Sequence, residues 1–273
     1  MYEIEKTQFS EVHPLLRGVS TYLSLSAIVK GKSSGRIWVD DPSDPGTALV
    51  YDLVNGFLFV LGRPDCIDSS KINYFLKDEL LPLVKKSKKY TKIFVIILSD
   101  ITESQSNELV EGLSFNIGSI HHFHLNSRKN IAELTVAIPN PFHLVKIDGE
   151  ILDNVKIANI KEVKRCIKAC WRNLEDYVKE GIGYALLAGD TVVSWCSTDY
   201  VVSSTCELYA ETFDSYKQKG LGTMVTLACV KECLNHNYEV NWHCWHGNTG
   251  SIRIAEKIGF SQKGIQRVQV ITL

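Results

Sequence analysis

The stretch whose residue types and spacing carry the most chemistry is Tyr216-Lys217-Gln218-Lys219-Gly220-Leu221-Gly222-Thr223. Residues Cys206 to Thr212 ahead of it have the pattern of a strand, and from Gly220 to Asn235 apolar residues recur at helical spacing. Two glycines two apart at such a turn let the main chain come close to a ligand. A helix that begins there leaves its first N–H groups without carbonyl partners, aimed at whatever lies ahead of the helix. Lys217 and Lys219 add positive charge where the helix dipole already favours an anion. A phosphate suits this chemistry, and so does an ordinary glycine turn; spacing alone does not decide between them.

The other polar groups point less sharply. Ile120-His121-His122-Phe123-His124-Leu125 reads as a strand with His122 and His124 on one face, as metal ligands would lie. No third ligand follows at a recognisable spacing, so no metal is expected. The eight cysteines include no Cys-x-x-Cys pair, which removes zinc ribbons and thioredoxin-like chemistry. Cys166/Cys170 and Cys229/Cys233 each lie one helical turn apart and read as reduced thiols on buried helix faces. Lys85-Lys86-Ser87-Lys88-Lys89 falls where a helix ends and reads as its solvated C-terminus.

The elements that must position the glycine loop follow from periodicity. Lys161 to Lys179 is expected as one amphipathic helix stopped by Gly181. Strands Gly183 to Leu187 and Val192 to Cys196 form a hairpin across Gly189-Asp190. After the strand Cys206 to Thr212 and the helix Gly220 to Asn235 come a strand, Tyr238 to Cys244, a helix, Gly250 to Ile258, and a strand, Ile265 to Thr272. That order predicts an α/β (α+β) fold: a mixed sheet with helices on its faces. In the first half, strands are expected at Gly35 to Asp40, Thr47 to Asp52, Phe57 to Leu61 and Ile93 to Leu98. A helix from about Ser69 to Lys86 contains Pro82, and another lies near Gln105 to Leu113. The turn Ile138-Pro139-Asn140-Pro141 marks the expected boundary between domains 1–140 and 141–273.

Composition bounds the function. With 273 residues, 45% hydrophobic and 22% charged, there is material for two packed cores. Thirty Lys+Arg against 31 Asp+Glu give a net charge of -1, so no basic field supports nucleic-acid binding. The longest apolar run, Ile93 to Leu98, is far short of the roughly 18 residues of a membrane helix. Met1 to Lys6 has no signal-peptide pattern. A cytoplasmic chain is expected, monomeric or homodimeric, without membrane or nucleic-acid partners.

Context raises the phosphate reading of the loop. The stretch from Trp171 to Phe260 resembles the GNAT superfamily of N-acetyltransferases, whose fingerprint Arg/Gln-x-x-Gly-x-Gly/Ala falls on Lys217-x-x-Gly220-x-Gly222. A second fingerprint appears as Asn248-Thr249-Gly250-Ser251 and Glu256-Lys257-Ile258-Gly259-Phe260. A closer likeness is to the branch that includes the zwittermicin self-resistance acetyltransferase. It rests on Trp171, Glu175, Asp176, Tyr177, Gly181 and Gly183, on Val193 to Cys196 and on Ala255 to Lys257. The resemblance implies a GNAT-type, mostly antiparallel twisted sheet in the C-terminal half. It also admits an N-terminal half that is a smaller, degenerate copy; with no Gly-x-Gly loop after Ile93 to Leu98, that copy should not bind the cofactor.

The same resemblance implies acetyl-CoA as co-substrate and a small-molecule amine as acceptor. The pyrophosphate would rest on the N–H groups of Gln218, Lys219, Gly220, Leu221, Gly222 and Thr223, with Lys217, Asn248 and Ser251 beside the cofactor. The pantetheine would pair with the edge of the Cys206 to Thr212 strand, and N–H groups near Ala210 and Thr212 would polarise the thioester. The amine must lose a proton before it attacks. Glu207 and Glu211, four apart on one strand face, are candidates; Glu207 is expected to be the base, with His243 and His246 behind it. The tyrosine that often protonates the departing thiolate in the superfamily falls on Ala255, which leaves water or Ser251 for that step. A module that keeps the pocket and has lost turnover is the alternative.

Overall fold

A computed structural model describes residues 1–17, 22–125, 131, 134–135 and 137–273. The chain divides into two compact units, Met1–Ile120 with Gln266–Leu273, and His121–Ile265. The division falls ahead of the proline turn at 138–141, where composition puts the boundary, and the last eight residues return to the first unit.

The first unit contains β1 (Tyr2–Ile4), α1 (Leu23–Val29), β2 (Gly35–Val39), β3 (Thr47–Asp52), β4 (Phe57–Gly62), α2 (Ser69–Phe75), α3 (Leu81–Ser87), β5 (Lys92–Ile97) and α4 (Glu103–Glu108). Strands β1 to β4 pair antiparallel in sequence order, β4 and β5 pair parallel, and β5 takes the end of the chain's last strand on its other edge. All six residues of β3 are buried, which explains a continuous apolar run there instead of an alternation. The expected helix at 69–86 runs without a break, but through a wide π turn at Leu76–Leu80 just ahead of Pro82. Proline has no N–H for the carbonyl of Asp78, and the widened turn accommodates its ring.

The second unit begins inside β6 (Phe115–His124). It continues with β7 (Phe142–Lys146), α5 (Gly149–Asp153), α6 (Ile160–Cys170), α7 (Leu174–Glu180), β8 (Gly183–Ala188), β9 (Thr191–Val202), β10 (Thr205–Thr212), α8 (Leu221–Asn235), β11 (Glu239–Trp245), α9 (Thr249–Ile258) and the start of β12 (Ser261–Thr272). Its strand order is β6-β11-β10-β9-β8-β7. β7, β8, β9 and β10 pair antiparallel, while β10 and β11 pair parallel. One core lies between the sheet and α8, with Val225, Cys229, Cys206, Leu208 and Trp242. A second lies against α6 and α7, with Val163, Ile167, Tyr177 and Trp195. The expected single helix at 161–179 is two. Trp171 leaves the helix extended and its indole Nε1 donates to the Thr198 carbonyl at 2.8 Å; Asn173 Oδ1 then accepts from Asp176 N at 2.7 Å and caps α7. All eight cysteines are free thiols.

Candidate active site

Strands β10 and β11 form a fork. Their parallel pairing starts at Thr205–Glu239 and stops at Glu207–Asn241, while β10 runs on to Thr212 and β11 to Trp245. On the other edge of β10 the register with β9 shifts between Glu207 and Leu208, where Tyr200 and Thr198 are the partners and Asp199 is extra. A bulge of this kind bends and twists a strand, here at the point where the pairing with β11 ends. Phe213 N–H bonds the Val193 carbonyl at 3.1 Å, so strand alternation turns the main-chain groups of Ala210 and Thr212 toward the open edge. Any extended ligand entering the fork meets those groups.

The glycine loop closes the mouth of the fork. Gln218 and Gly220 both adopt positive φ, 62° and 78°, and Gly220 is the N-cap of α8. The first-turn N–H groups of Leu221, Gly222 and Thr223 have no carbonyl one turn earlier to bond. Gly222 lets α8 come close: a Cβ there would lie 3.0 Å from Ile254 Cδ1 and 3.1 Å from Thr212 Oγ1. The two lysines are held within the loop, since Lys217 Nζ lies 2.6 Å from Asp214 Oδ1 and Lys219 Nζ sits 5.1 Å above the Tyr216 ring. An anion at this loop would therefore meet main-chain N–H groups and the helix dipole first.

Asn248 and Ser251 are engaged in α9. Asn248 caps the helix, with Oδ1 accepting from Ser251 N at 3.1 Å, and Ser251 Oγ accepts from the Trp242 indole at 3.0 Å. Ala255 is fully buried in the α8 core. These contacts fix Trp242 on that face, which turns its neighbour His243 to the opposite face of β11.

On that opposite face lies the polar centre. Glu207 is 2% exposed. Its Oε1 is 3.0 Å from His243 Nδ1. The His122 ring of β6 lies 6.1 Å from that of His243. Burial, and then the neighbouring His243, push His122 down to about 4, so it is neutral at physiological pH. His124 Nδ1 instead meets Asn241 Oδ1 at 3.0 Å. On the other face, His121 joins His246 and Gln262 through ring nitrogens at 2.7 Å each. Tandem histidines 121 and 122 thus serve two different networks, and only the fold tells them apart: no local pattern links either to Glu207 or His246.

Glu211 shares the face of Glu207, accepts from Tyr209 Oη at 3.0 Å and approaches Glu162 and Cys166 of α6 within 4.8 Å. Arg165 pairs with Glu162, and burial pushes the Cys166 thiol up to about 11, where it stays protonated at neutral pH.

A family model described as GNAT acetyltransferase matches residues 13–267. The chain belongs to the GNAT acetyltransferases. Among its relatives is an uncharacterised N-acetyltransferase of Bacillus subtilis, YdfB, 21% identical over 260 residues, with 95% of this chain and 94% of that protein covered. A GCN5-related N-acetyltransferase-like protein from Streptococcus suis shares the fold with a TM-score of 0.72 and 20% identity, covering 97% of this chain and 98% of that one. A tandem GNAT protein from the clavulanic acid biosynthesis pathway matches with a TM-score of 0.59 and 11% identity, covering 97% and 94%.

For a GNAT fold the contrast between the two units is informative. The first repeats the order hairpin, strand, helix, parallel strand, helix, but its parallel pair does not fork. β4 and β5 stay in register from Phe57–Phe94 to Val60–Ile97, and Leu98 N–H still reaches the Val60 carbonyl. The helix after β4 starts on Asp68, whose carboxylate accepts from Lys71 N at 2.9 Å. A carboxylate on the helix N-terminus occupies the place an anion would need. The open fork and the bare helix end lie in the second unit.

Proposed function

We propose that this acetyltransferase moves the acetyl group of acetyl-CoA to the primary amine of a small molecule, by direct attack in a ternary complex. The observation that carries the reading is the fork between β10 and β11 closed by the Gly220 helix end, a slot for an extended thiol ester with a phosphate cradle at its mouth. The pyrophosphate would rest on the N–H groups from Gln218 to Thr223, with the pantetheine along Ala210 and Thr212. Those strand N–H groups would hold the carbonyl oxygen as it gains charge. The amine nitrogen bonds the carbonyl carbon, the C–S bond breaks, and the sulfur leaves with the electron pair to take a proton from water or Ser251. The proton of the amine departs toward the Glu207–His243 pair. Likeness to the self-resistance branch favours an antibiotic-like or amino-acid-like amine.

One observation favours a second reading, an acyl-CoA-binding module without turnover: the tyrosine position of the superfamily holds the buried Ala255. Thiol release from acetyl-CoA with a mixed panel of amines separates the two. Amine-dependent release supports catalysis, and cofactor binding without release from any amine supports the module.

A further inference from the structure

We propose that His243 takes the proton from the attacking amine and that Glu207 is the positioning residue behind it. This rests on the acetyl-transfer reading above. A general base has to come within a hydrogen bond of the proton it removes. The Glu207 side chain is 3% exposed and that of His243 26%, so the carboxylate is covered and the imidazole is what the cleft meets. His243 stands two residues beyond Asn241, on the arm of β11 past its last pair with β10, across the fork from Ala210 and Thr212. Its Nδ1 is 3.0 Å from Glu207 Oε1. A carboxylate that close favours positive charge on the ring, as a base that must hold a proton requires.

The step balances as follows. An N–H proton of the ammonium moves to the His243 imidazole, and the imidazolium that forms is stabilised by the Glu207 carboxylate. The freed nitrogen pair bonds the thioester carbon, and the C–S pair leaves on the CoA sulfur. Imidazolium loses its proton to solvent and the thiolate gains one. Glu207 from β10 and His122 from β6 both face His243, and His121 acts on His122 from the other face. Neutral His122 places no second positive charge beside the imidazolium that the step creates.

The test uses the full chain with 15N-labelled histidine, followed by NMR from pH 4.5 to 9, and kcat/KM with acetyl-CoA and the most reactive of tyramine, spermidine and glucosamine. Glu207→Gln should lower the His243 midpoint by about one pH unit and move the acid limb of kcat/KM the same way. His243→Asn should cut kcat/KM roughly 100-fold or more and abolish that limb, while the thermal shift with acetyl-CoA persists. In His243→Ala, added imidazole should restore part of the rate. A His243 midpoint unmoved by Glu207→Gln, or His243→Asn with unchanged kcat/KM and acid limb, overturns the proposal. If wild-type chain gives no thermal shift with acetyl-CoA, the acetyl-transfer reading fails and takes this one with it; a kept shift with an unmoved profile sinks the His243 assignment alone.

Discussion

Replacing Gly220 by alanine separates a phosphate cradle from a mere turn. Gly220 sits at φ 78° and ψ 0°, a left-handed conformation that costs an L-residue about 1–2 kcal/mol. The cost is one of backbone alone, because an added Cβ would meet nothing nearer than Met224 Cε at 3.9 Å. Stability should therefore fall by about 1–2 kcal/mol, or roughly 2–8 °C in melting temperature. Binding should respond more. Any relaxation of the strain rotates the N–H groups that open α8, and each hydrogen bond from such a group to a charged partner contributes about 1.5–3 kcal/mol. Loss of one weakens acetyl-CoA by roughly 10- to 100-fold. The control is acetyl-pantetheine, which has the thioester and lacks the pyrophosphate. Calorimetric titration of both ligands should find acetyl-CoA weakened and acetyl-pantetheine unchanged in Gly220→Ala. Equal weakening of the two, or a stability loss with acetyl-CoA affinity intact, would refute the reasoning.

The histidine held neutral gives a pH dependence. The folded midpoint of His122 is about 4 against an ordinary 6.5, so between those values the unfolded chain binds a proton that the folded chain refuses. Stability should be full above pH 6.5 and fall by on the order of 3 kcal/mol on going down to pH 4, and His122→Asn should flatten that slope in denaturant titrations. Ser251→Ala should lower stability by about 1 kcal/mol or somewhat more, because the buried Trp242 Nε1 loses its acceptor; chemical denaturation measures it. Acetyl-CoA should titrate to one equivalent per chain, and Asp68→Ala should not change that stoichiometry, since β4 and β5 stay paired where β10 and β11 part.

Legibility in the sequence followed the range of the forces involved. The glycine loop, α8 and the hairpin of β8 and β9 were visible because a turn residue, a helical period or a two-residue turn is written within a few positions. β7 was not: its five residues acquire their role only by pairing with β8, forty positions later. The break between α6 and α7 was hidden for a similar reason, because apolar periodicity continues across it while Asn173 and the Trp171–Thr198 bond end one helix and start another. At the site, Glu207 and Glu211 could be placed on one face from their spacing. That Glu207 is buried against His243, and His243 against His122, depends on three strands far apart in sequence. Asn248 and Ser251 were legible as a motif, whereas their engagement with α9 and Trp242 needed the fold.

A thermal-shift titration with acetyl-CoA, CoA and ATP at matched ionic strength tests the central claim most directly. A ligand bound only by the folded chain adds about 2.7 kcal/mol at 100 times its dissociation constant. Both CoA species should raise the melting temperature by several degrees and ATP should leave it in place. A chain that melts at the same temperature in all three, or that responds to ATP as it does to acetyl-CoA, would contradict a CoA site built from the β10–β11 fork and the Gly220 helix end.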